Sequence, residues 1–381
     1  METLSAPYLR FSFLKSPSNP PPFLPMPQAS ITPPPPQFDY RSSQLVADTR
    51  SAVSAMHPQL LDLVENGRLV LVEKRRFGPV PAWRTAFVEP EAIWLIGTSH
   101  IAEESALDVE RVVRAVKPES VVVELCRSRV GIMYASDDDN GSRQFLRSNM
   151  FSLSGARFLG AIGRSINLGG QTALALRLLL AVFSSKISSG SDRPFGDEFR
   201  AARRASEAVG AQIVLGDRPI EITLGRAWNS LKWGEKLSLV FSLLRGINSS
   251  SLEVSGSSLR EQGMEGSPFQ LYELLSFSYP SLLQPLIHER DTYLAWSLKR
   301  SKAVNQNKCV VGVIGKGHMN GVVYALLSDQ GDLRFRDLAG KMPFADGSNG
   351  WVGTLFKSLV RDTVIGIILW ALYEQLKIAL S

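Results

Sequence analysis

The chain has 381 residues, 44% of them hydrophobic and 20% charged, so it is long enough to bury a full core and too apolar to be wholly disordered. The formal net charge of +6 is small for this length, and the basic runs are not interleaved with aromatic residues as they are on nucleic-acid surfaces. Cys126 and Cys309 are too few for a disulfide framework or a cysteine metal site. Both lie in apolar runs, so we expect them to fill core positions. The low cysteine count suits a reducing compartment, and the charge pattern makes nucleic acid an unexpected partner.

Residues 1–45 form a predicted disordered leader. Eleven of the 22 prolines precede Gln37, and Glu2 is the only acid before Asp39. Such a segment cannot pack a core, and its acid-poor, serine-rich composition is typical of an organelle transit peptide. The proline tracts fit a tail that displays short ligand motifs equally well. We favour targeting, in which case a mature amino terminus near Asp39 to Arg50 would indicate import.

The next segment, assigned to one domain over residues 46–345, has the pattern of a parallel α/β sheet. The apolar run Ile93–Gly97 is followed by helical spacing from Leu107 to Val116 and by a second buried strand, Val121–Leu125. The same alternation returns at Phe199–Val209 with Ala211–Leu215, and at Leu294–Arg300 with Cys309–Ile314. The predicted fold class is therefore α/β, with a mainly parallel sheet flanked by helices.

Two further apolar segments predict helical insertions into this domain. Leu168–Phe183 and Leu237–Leu244 have a helical period but are shorter than the roughly 20 apolar residues that a membrane span needs. We therefore expect core or lid helices. The glycine- and serine-rich residues 246–267 predict a flexible loop.

The last segment, residues 351–381, predicts an apolar helix. Thr363 to Tyr373 carry no charge, and the apolar character continues past Glu374 and Lys377 to Leu380. The uncharged part alone spans only about 16 Å as a helix, so the tail either crosses a bilayer with its whole length or lies in the interface. Docking as the last core helix is the alternative. A membrane anchor places the protein on an organelle membrane, the chloroplast by preference and the mitochondrial outer membrane otherwise.

Four polar clusters directly follow the predicted strands. They are Gly97-Thr98-Ser99-His100, Glu124 with Arg127 and Arg129, Gly216-Asp217-Arg218, and Gly315-Lys316-Gly317-His318. The carboxyl ends of parallel strands share one edge, so we expect the clusters to converge, with His100 and His318 within about 10 Å of each other and beside Glu124. Two imidazoles and a carboxylate are compatible with Zn²⁺, Mn²⁺ or Fe²⁺, and the cofactor expected is a divalent Mn, Co or Zn. Without metal, the same histidines could act as general acid and base.

The arginines near these clusters predict a basic crevice that suits a peptide or a small anionic substrate. They are Arg127, Arg129, Arg218, Arg226 and Arg290. Ordinary ion pairing to Glu124, Glu221 and Glu289 is the competing interpretation. Gly315-Lys316-Gly317-His318, which links a strand to a helix, also resembles an anion cradle, although it is not a P-loop.

The chain resembles the TraB/PrgY/GumN family, which includes the Tiki proteins. The resemblance rests on the two G-x-x-H motifs together with Val123-Glu124-Leu125-Cys126 and Arg129, Asp197-Glu198-Phe199-Arg200-Ala201-Ala202, Gly216-Asp217-Arg218 with Thr223 and Arg226, and Glu289-Arg290-Asp291. It covers about Ile93 to Leu327 and implies a fold related to erythromycin-esterase-like and ChaN-like proteins, with the paired histidines and the motif carboxylates at the active centre. Tiki proteins look like metal-dependent proteases, whereas other relatives are linked to pheromone shut-down or to organelle membranes. The leader and the tail most resemble plant members.

Together these observations predict a membrane-associated, metal-dependent hydrolase or peptidase. The expected metal ligands are His100, His318 and Glu124, and the expected catalytic residues are Glu124, Glu198, Arg218, Glu289 and Arg290. A non-catalytic tether or regulatory binding protein on an organelle membrane is the alternative.

Overall fold

The computed structural model describes residues 31–81, 84, 87–99, 103–134, 196–248, 278–331 and 333–340. The strands are β1 (Leu69–Glu73), β2 (Ala92–Thr98), β3 (Ser120–Val123), β4 (Gln212–Leu215) and β5 (Cys309–Gly315). The helices are α1 (Gln44–Met56), α2 (Leu61–Glu65), α3 (Glu103–Val116), α4 (Asp197–Val209), α5 (Ile220–Ser230), α6 (Trp233–Asn248), α7 (Glu289–Lys299), α8 (Lys316–Leu327) and α9 (Phe335–Ala339).

These five strands form one sheet in the order β1-β2-β5-β3-β4. Strand β1 is antiparallel to β2, and the three other neighbouring pairs are parallel, with Ile96 opposite Val313 and Val123 opposite both Val313 and Leu215. The predicted α/β class with a mainly parallel sheet is therefore confirmed. Its closer relation to erythromycin-esterase-like or ChaN-like folds stays a prediction.

Helices cover both faces of the sheet, as the near-continuous apolar strands require. On one face Trp94 and Ile96 pack with residues of α2, α3 and α4. On the other face Ile93 and Leu95 pack with residues of α7 and α8. Alternate residues of β2 thus enter two separate layers of core, which fixes the register of the central strands.

The structure differs from the sequence prediction in one strand and in two segment boundaries. Strand β1 was not predicted, because a five-residue apolar strand has no distinctive period of its own. Helix α6 continues to Asn248, so the first residues of the expected loop 246–267 are helical. Residues 31–45 were assigned to the leader, yet Ile31 is buried beside Trp296, and the buried Tyr40 donates its hydroxyl proton to Gly67 O at 2.8 Å. The side chains of Ile31 and Tyr40 are large and apolar enough to pack into the domain, and this burial holds residues 31–45 against it.

Several predicted elements lie outside the described residues. These are the leader up to residue 30, the apolar segment 168–183, residues 249–277 and the tail from 341 onward. Among the helices of the described ranges, none has the length and apolar character needed to cross a membrane.

Candidate functional site

Three polar side chains meet where the parallel strands end. Glu124 directly follows β3, Asp217 lies two residues after β4, and His318 lies in the first turn of α8, which begins where β5 stops. All three are buried. Because the carboxyl ends of β3, β4 and β5 share one edge, residues almost 200 positions apart in the sequence come into contact there.

Helix α7 brings two more charged residues to this edge. It follows directly on a short π-helical segment, Gln284–His288, and every residue from Glu289 to Lys299 is buried. Arg290 and Asp291 lie in its first turn and face the residues that follow the strands. Short π-helical segments are frequent at functional sites, because they shift the direction in which the next side chains point.

His318 is held between Asp291 and Arg290. Its Nδ1 lies 2.5 Å from Asp291 Oδ1, and its Nε2 lies 3.2 Å from Arg290 Nη1. A guanidinium can only donate hydrogen bonds, so Nε2 accepts and Nδ1 carries the proton that is donated to Asp291. The contacts therefore select the neutral tautomer with its lone pair on Nε2.

Gly321 allows Asp291 to reach this position. A Cβ atom at residue 321 would lie only 1.8 Å from Asp291 Oδ2, so any side chain there would displace the carboxylate. Gly321 is one turn beyond His318 on α8, and the two helices approach closely at this point. The close approach explains why α7 and α8 can share one carboxylate–imidazole hydrogen bond.

Glu124 and Asp217 hold the guanidinium of Arg290 from the other side. Arg290 Nη2 donates to Glu124 Oε1 and to Asp217 Oδ2, both at 2.9 Å, and Arg290 Nε donates to Asp217 Oδ1 at 3.2 Å. The second oxygen of Glu124 accepts the backbone N–H of Gly315 at 2.8 Å. Arg129 Nη2 also donates to Asp217 Oδ2, at 2.5 Å. Buried charges persist only when they are paired in this way.

A second buried ion cluster adjoins the first and consists of Arg218, Arg226 and Glu289. Arg226 donates to both oxygens of Glu289, at 2.5 and 2.9 Å, and Arg218 forms an ion pair with the same carboxylate. Burial alone would raise the pKa of Glu289, but the hydrogen bond from Arg226 and the charges of both arginines outweigh it and hold the pKa below its usual value. Burial lowers the pKa of the Arg218 guanidinium, although Glu289 opposes that shift.

The same two arginines fix the backbone that leads to the tail. Arg218 donates to Leu338 O at 3.3 Å and to Pro285 O at 2.5 Å, and Arg226 donates to Gly340 O at 3.0 Å. Glu289 thus links the start of α7 to the end of α9. In these contacts Arg218, Arg226 and Glu289 serve the packing of the chain, and none of them contacts His318 within the described structure.

The expected basic crevice is not what the described residues form. Arg129, Arg218, Arg226 and Arg290 each form an ion pair with a buried carboxylate, and Arg127 is exposed. Desolvation explains the difference, because an unpaired guanidinium in the core costs several kcal/mol. The paired arginines give this part of the domain no excess positive charge that would attract an anion. The anionic substrate therefore stays a prediction.

The remaining predicted site residues are placed as follows. His100 lies outside the described residues, so its expected closeness to His318 stays a prediction. Glu198 is buried in the first turn of α4. Lys316 keeps more than a third of its surface exposed, and the partial desolvation of its ammonium group, together with the charges of Arg68 and Arg41, lowers its pKa.

The contacts of Arg290 bear on the expected metal site. Its Nη1 and Nη2 occupy His318 Nε2 and Glu124 Oε1, which lie 3.4 Å from each other. While Arg290 lies between them, His318 Nε2 and Glu124 Oε1 cannot bind a divalent cation. The guanidinium would repel the cation, and its N–H groups already hydrogen-bond to both atoms. Within the described ranges no group of three His, Cys, Asp or Glu side chains is arranged to hold a metal ion. A metal role for His100, His318 and Glu124 stays a prediction, since His100 lies outside those ranges.

Comparison of the sequence with known proteins shows the family of the chain. A sequence profile described as the TraB/PrgY/gumN family matches residues 81–332, more than half of the chain. The chain belongs to the TraB/PrgY/gumN family. The TraB domain-containing protein of Mus musculus is 28% identical over 290 residues, 71% of this chain and 73% of the mouse protein. The human TraB domain-containing protein is 28% identical over 285 residues, 70% of this chain and 72% of its own length.

An archaeal relative extends the family match. An uncharacterized protein of Methanocaldococcus jannaschii is 27% identical over 232 residues, 61% of this chain and 52% of the archaeal protein. The relatives named here are animal and archaeal proteins, so the expected likeness to plant members stays a prediction.

The catalytic and metal-binding residues predicted from the TraB motifs did not include Asp291, Asp217 or Arg129. Asp291 directly follows Arg290 in a motif of the family. Its place in the same helical turn as Arg290 was the available signal. Nothing in the sequence showed that this turn faces His318, because α7 and α8 are brought together only by packing on one face of the sheet.

Two further histidines of the described part of this TraB-family chain, and its two cysteines, form none of the cluster hydrogen bonds given above. His57 packs edge-on against Trp94 with ring centroids 5.8 Å apart. His288 Nδ1 has no hydrogen-bond partner among the described residues, and burial lowers the pKa of this imidazole. Cys126 is buried, and burial with the nearby Glu119 raises the pKa of Cys309 to about 12. The raised pKa keeps the Cys309 thiol protonated at neutral pH, so this thiol is not activated as a nucleophile.

Proposed function

We propose that this TraB-family domain is a hydrolase in which His318 acts as the general base. One observation carries the proposal: Asp291 holds His318 in the tautomer whose Nε2 bears the lone pair, and this Nε2 faces Arg290 Nη1 at 3.2 Å. A carboxylate on the second nitrogen is the arrangement that orients catalytic imidazoles in unrelated hydrolases. The pair lies at the carboxyl edge of a parallel sheet, where such folds bind ligands.

Arg290 supplies the second part of the proposed chemistry. Glu124 and Asp217 hold its Nε and Nη2. In the proposed step Nη1 moves away from His318 Nε2, and a water molecule enters between them. His318 would then take a proton from that water as its oxygen attacks a carbonyl carbon. Arg290 Nη1 would stabilise the negative charge on the carbonyl oxygen, and His318 would return the proton to the leaving group.

The substrate and cofactor proposals rest on the family resemblance and on the chemistry of the arginines. We propose a peptide or a small anionic acyl compound, whose carboxylate could draw Nη1 of Arg290 away from the imidazole. The resemblance also implies a divalent Mn, Co or Zn, which would bind His100, His318 and Glu124 and would require Arg290 to move. Such an ion, when bound, would lower the pKa of a water molecule.

We further propose that residues 351–381 associate the protein with an organelle membrane, in the chloroplast or on the outside of the mitochondrion. This proposal rests on the apolar tail and the acid-poor leader alone. A tether without catalysis uses the same anchor and is the competing proposal, in which the buried charges would serve only stability.

Hydrolysis by the purified full chain tests the enzyme proposal. The chain is incubated with a peptide library and with a set of small carboxylic esters, with and without added Mn²⁺, and products are identified by mass spectrometry. We expect cleavage in at least one class and a loss of about 10²- to 10⁴-fold in His318→Gln, the usual contribution of a general base. His57→Gln, which changes a histidine beside β2, is expected to keep the activity.

Two outcomes contradict the proposal, provided that circular dichroism shows His318→Gln to be folded. Unchanged activity in that variant would remove His318 from the reaction. No cleavage by the parent chain under any condition would favour the tether. Metal analysis of the same samples tests the cofactor, since replacing both His100 and His318 by Ala should abolish any stoichiometric metal that the parent chain retains.

A further inference from the structure

Helix α6 carries an exposed apolar ridge formed by Trp233, Leu237 and Phe241. Their exposed fractions are 48%, 60% and 68%, and a spacing of four residues places them on one side of the helix. Single exposed apolar residues need no explanation, but three large ones in a row on one helix mark a surface that contacts something else.

The ridge is held in place by contacts of the neighbouring residues of the same helix. Leu239 and Val240 are buried, and the hydroxyls of Ser238 and Ser242 lie 3.3 and 3.4 Å from Tyr279 Oη. Helix α6 therefore cannot turn its apolar side inward without losing these contacts. The ridge is a fixed feature of the surface.

The charges around the ridge are basic. Lys232 is exposed beside it, and Lys236 Nζ lies 4.9 Å from the centre of the Trp233 ring. Glu235, the one acid of α6, accepts hydrogen bonds from Ser281 Oγ at 2.9 and 3.0 Å and from the backbone N–H of Lys232 at 2.7 Å. From Lys232 to Ser242, the exposed side chains include a positive charge and no negative one.

The size of the ridge argues against a second copy of the chain as its partner. A large apolar side chain buries about 150–250 Å², so three that are exposed by about half to two thirds offer roughly 300–400 Å². A stable protein dimer needs about 800 Å² from each partner. A lipid surface has no such requirement, because a few inserted side chains and nearby lysines are enough for reversible binding.

We propose that α6 docks on an anionic lipid surface, with Trp233, Leu237 and Phe241 inserted among the acyl chains and Lys232 and Lys236 at the headgroups. Tryptophan and lysine are the residues that prefer this depth, since each combines an apolar body with a polar end. The contact is separate from the proposed anchor in residues 351–381. It would hold one fixed side of the domain against the membrane.

The test measures insertion at residue 237 in the full chain. Leu237→Cys and the control Leu107→Cys, an exposed leucine of α3, are made in a Cys309→Ser background and labelled with a fluorophore. Vesicles of brominated phosphatidylcholine, with and without phosphatidylserine, quench a label that enters the acyl region. We expect quenching at residue 237 and not at 107, and stronger binding when phosphatidylserine is present.

A second pair of variants measures the affinity. Leu237→Asp should weaken partitioning onto these vesicles by about tenfold or more, and Leu107→Asp should leave it unchanged. Vesicle-bound chain without quenching at residue 237 would overturn the proposal, because the tail would then carry the binding alone. So would absence of binding, or equal binding with and without phosphatidylserine.

The proposal also requires residue 237 to be open to solvent before vesicles are added, so iodide should quench the fluorophore at that position. A fluorophore protected from iodide would overturn the proposal. Protection that rises with protein concentration would assign the ridge to a second copy. Protection independent of concentration would assign it to another segment of the same chain.

Discussion

At the scale of single residues, the site depends on how closely two helices approach. Asp291 reaches His318 only because Gly321 has no side chain at the point where α7 and α8 meet. The hydrogen bond fixes the proton on Nδ1, and Arg290 fixes the direction of Nε2. A change at residue 321 therefore acts on the imidazole without touching it.

Replacing Gly321 by Ala tests this dependence. The added methyl group would overlap Asp291 Oδ2, so we expect a loss of about 1–3 kcal/mol in the free energy of unfolding, together with lower hydrolytic activity. Urea unfolding measures the first effect. Gly234→Ala is the matched control, because a Cβ there meets no atom within 4 Å. Equal stabilities of the two variants would show that Asp291 can move aside freely.

Replacing Glu289 should lower the free energy of unfolding. Glu289→Gln leaves two buried arginines without their carboxylate, for which we expect a loss of about 3–5 kcal/mol. Glu65→Gln, which breaks an exposed ion pair with Arg50, should cost less than about 1 kcal/mol.

The stabilisation by the Glu289 carboxylate should decrease at acidic pH, which unfolding at several pH values can measure. The folded pKa lies below the ordinary value of about 4.3, so the stabilisation is present above that value and is lost as the pH falls through the folded pKa. The stability difference between the parent chain and Glu289→Gln should therefore shrink below about pH 4. A difference that stays constant down to pH 2 would contradict the ion-pair explanation.

At the scale of elements, α7 connects the site to the rest of the domain. Its first turn carries Arg290 and Asp291, and its last turn carries the buried Lys299, whose ammonium donates to Gly78 O at 2.8 Å. Next to it Arg300 donates to Glu89 at 2.9 Å. The far end of α7 therefore fixes the segment that leads into β2.

Lys299 predicts a rise of stability with pH. Burial, helped by the charge of Arg300 and opposed by Glu89, lowers its pKa to about 8, whereas the unfolded chain has about 10.4. Between these values the unfolded state binds more protons, so the free energy of unfolding should increase as the pH rises, by up to roughly 3 kcal/mol. Lys299→Met should lack this increase relative to the exposed Lys302→Met control. Parallel pH profiles of the two variants would contradict the prediction.

At the scale of the whole molecule, the described domain is fixed at both of its ends. Ile31 and Tyr40 are buried at its start, and Arg218 and Arg226 bind the carbonyls of Leu338 and Gly340 at its end. These contacts fix both ends of the described part of the domain, at residues 31 and 340.

Truncation tests the tail. A chain that ends at Lys357 retains both carbonyl contacts, so we expect it to be soluble and to keep its far-ultraviolet circular dichroism. The full chain should sediment with membranes and resist carbonate, because the aliphatic residues of 363–380 each favour lipid by about 0.3–0.6 kcal/mol and Glu374 and Lys377 can reach the interface. Complete release by carbonate would indicate a helix on the surface. Misfolding of the truncated chain would make the tail part of the core.

The amino terminus of the native protein tests the leader. The sequence alone suggested cleavage near Asp39 to Arg50, but removal of Ile31 and Tyr40 would expose their buried contacts. If a leader is cleaved, we now expect the mature terminus at or before residue 31. Terminal sequencing by mass spectrometry measures it, and a terminus beyond Tyr40 would contradict the prediction.

The sequence by itself determined the α/β class and the elements that carry the site residues. Apolar runs such as Ile93–Gly97 and the helical spacing of Leu107–Val116 are local signals, because strand and helix periods arise from backbone geometry alone. The rule that parallel strands end at one edge also predicts from the sequence that Glu124 and His318 lie together.

Only the tertiary structure decided what these residues do to each other. The sequence shows five arginines near the strand ends, and it cannot show that four of them are paired with carboxylates or that Arg290 lies between His318 and Glu124. Which charges pair depends on how helices from distant parts of the chain pack against one face of the sheet. Desolvation then makes each pairing obligatory, because a buried charge without a partner would cost more than the fold can supply.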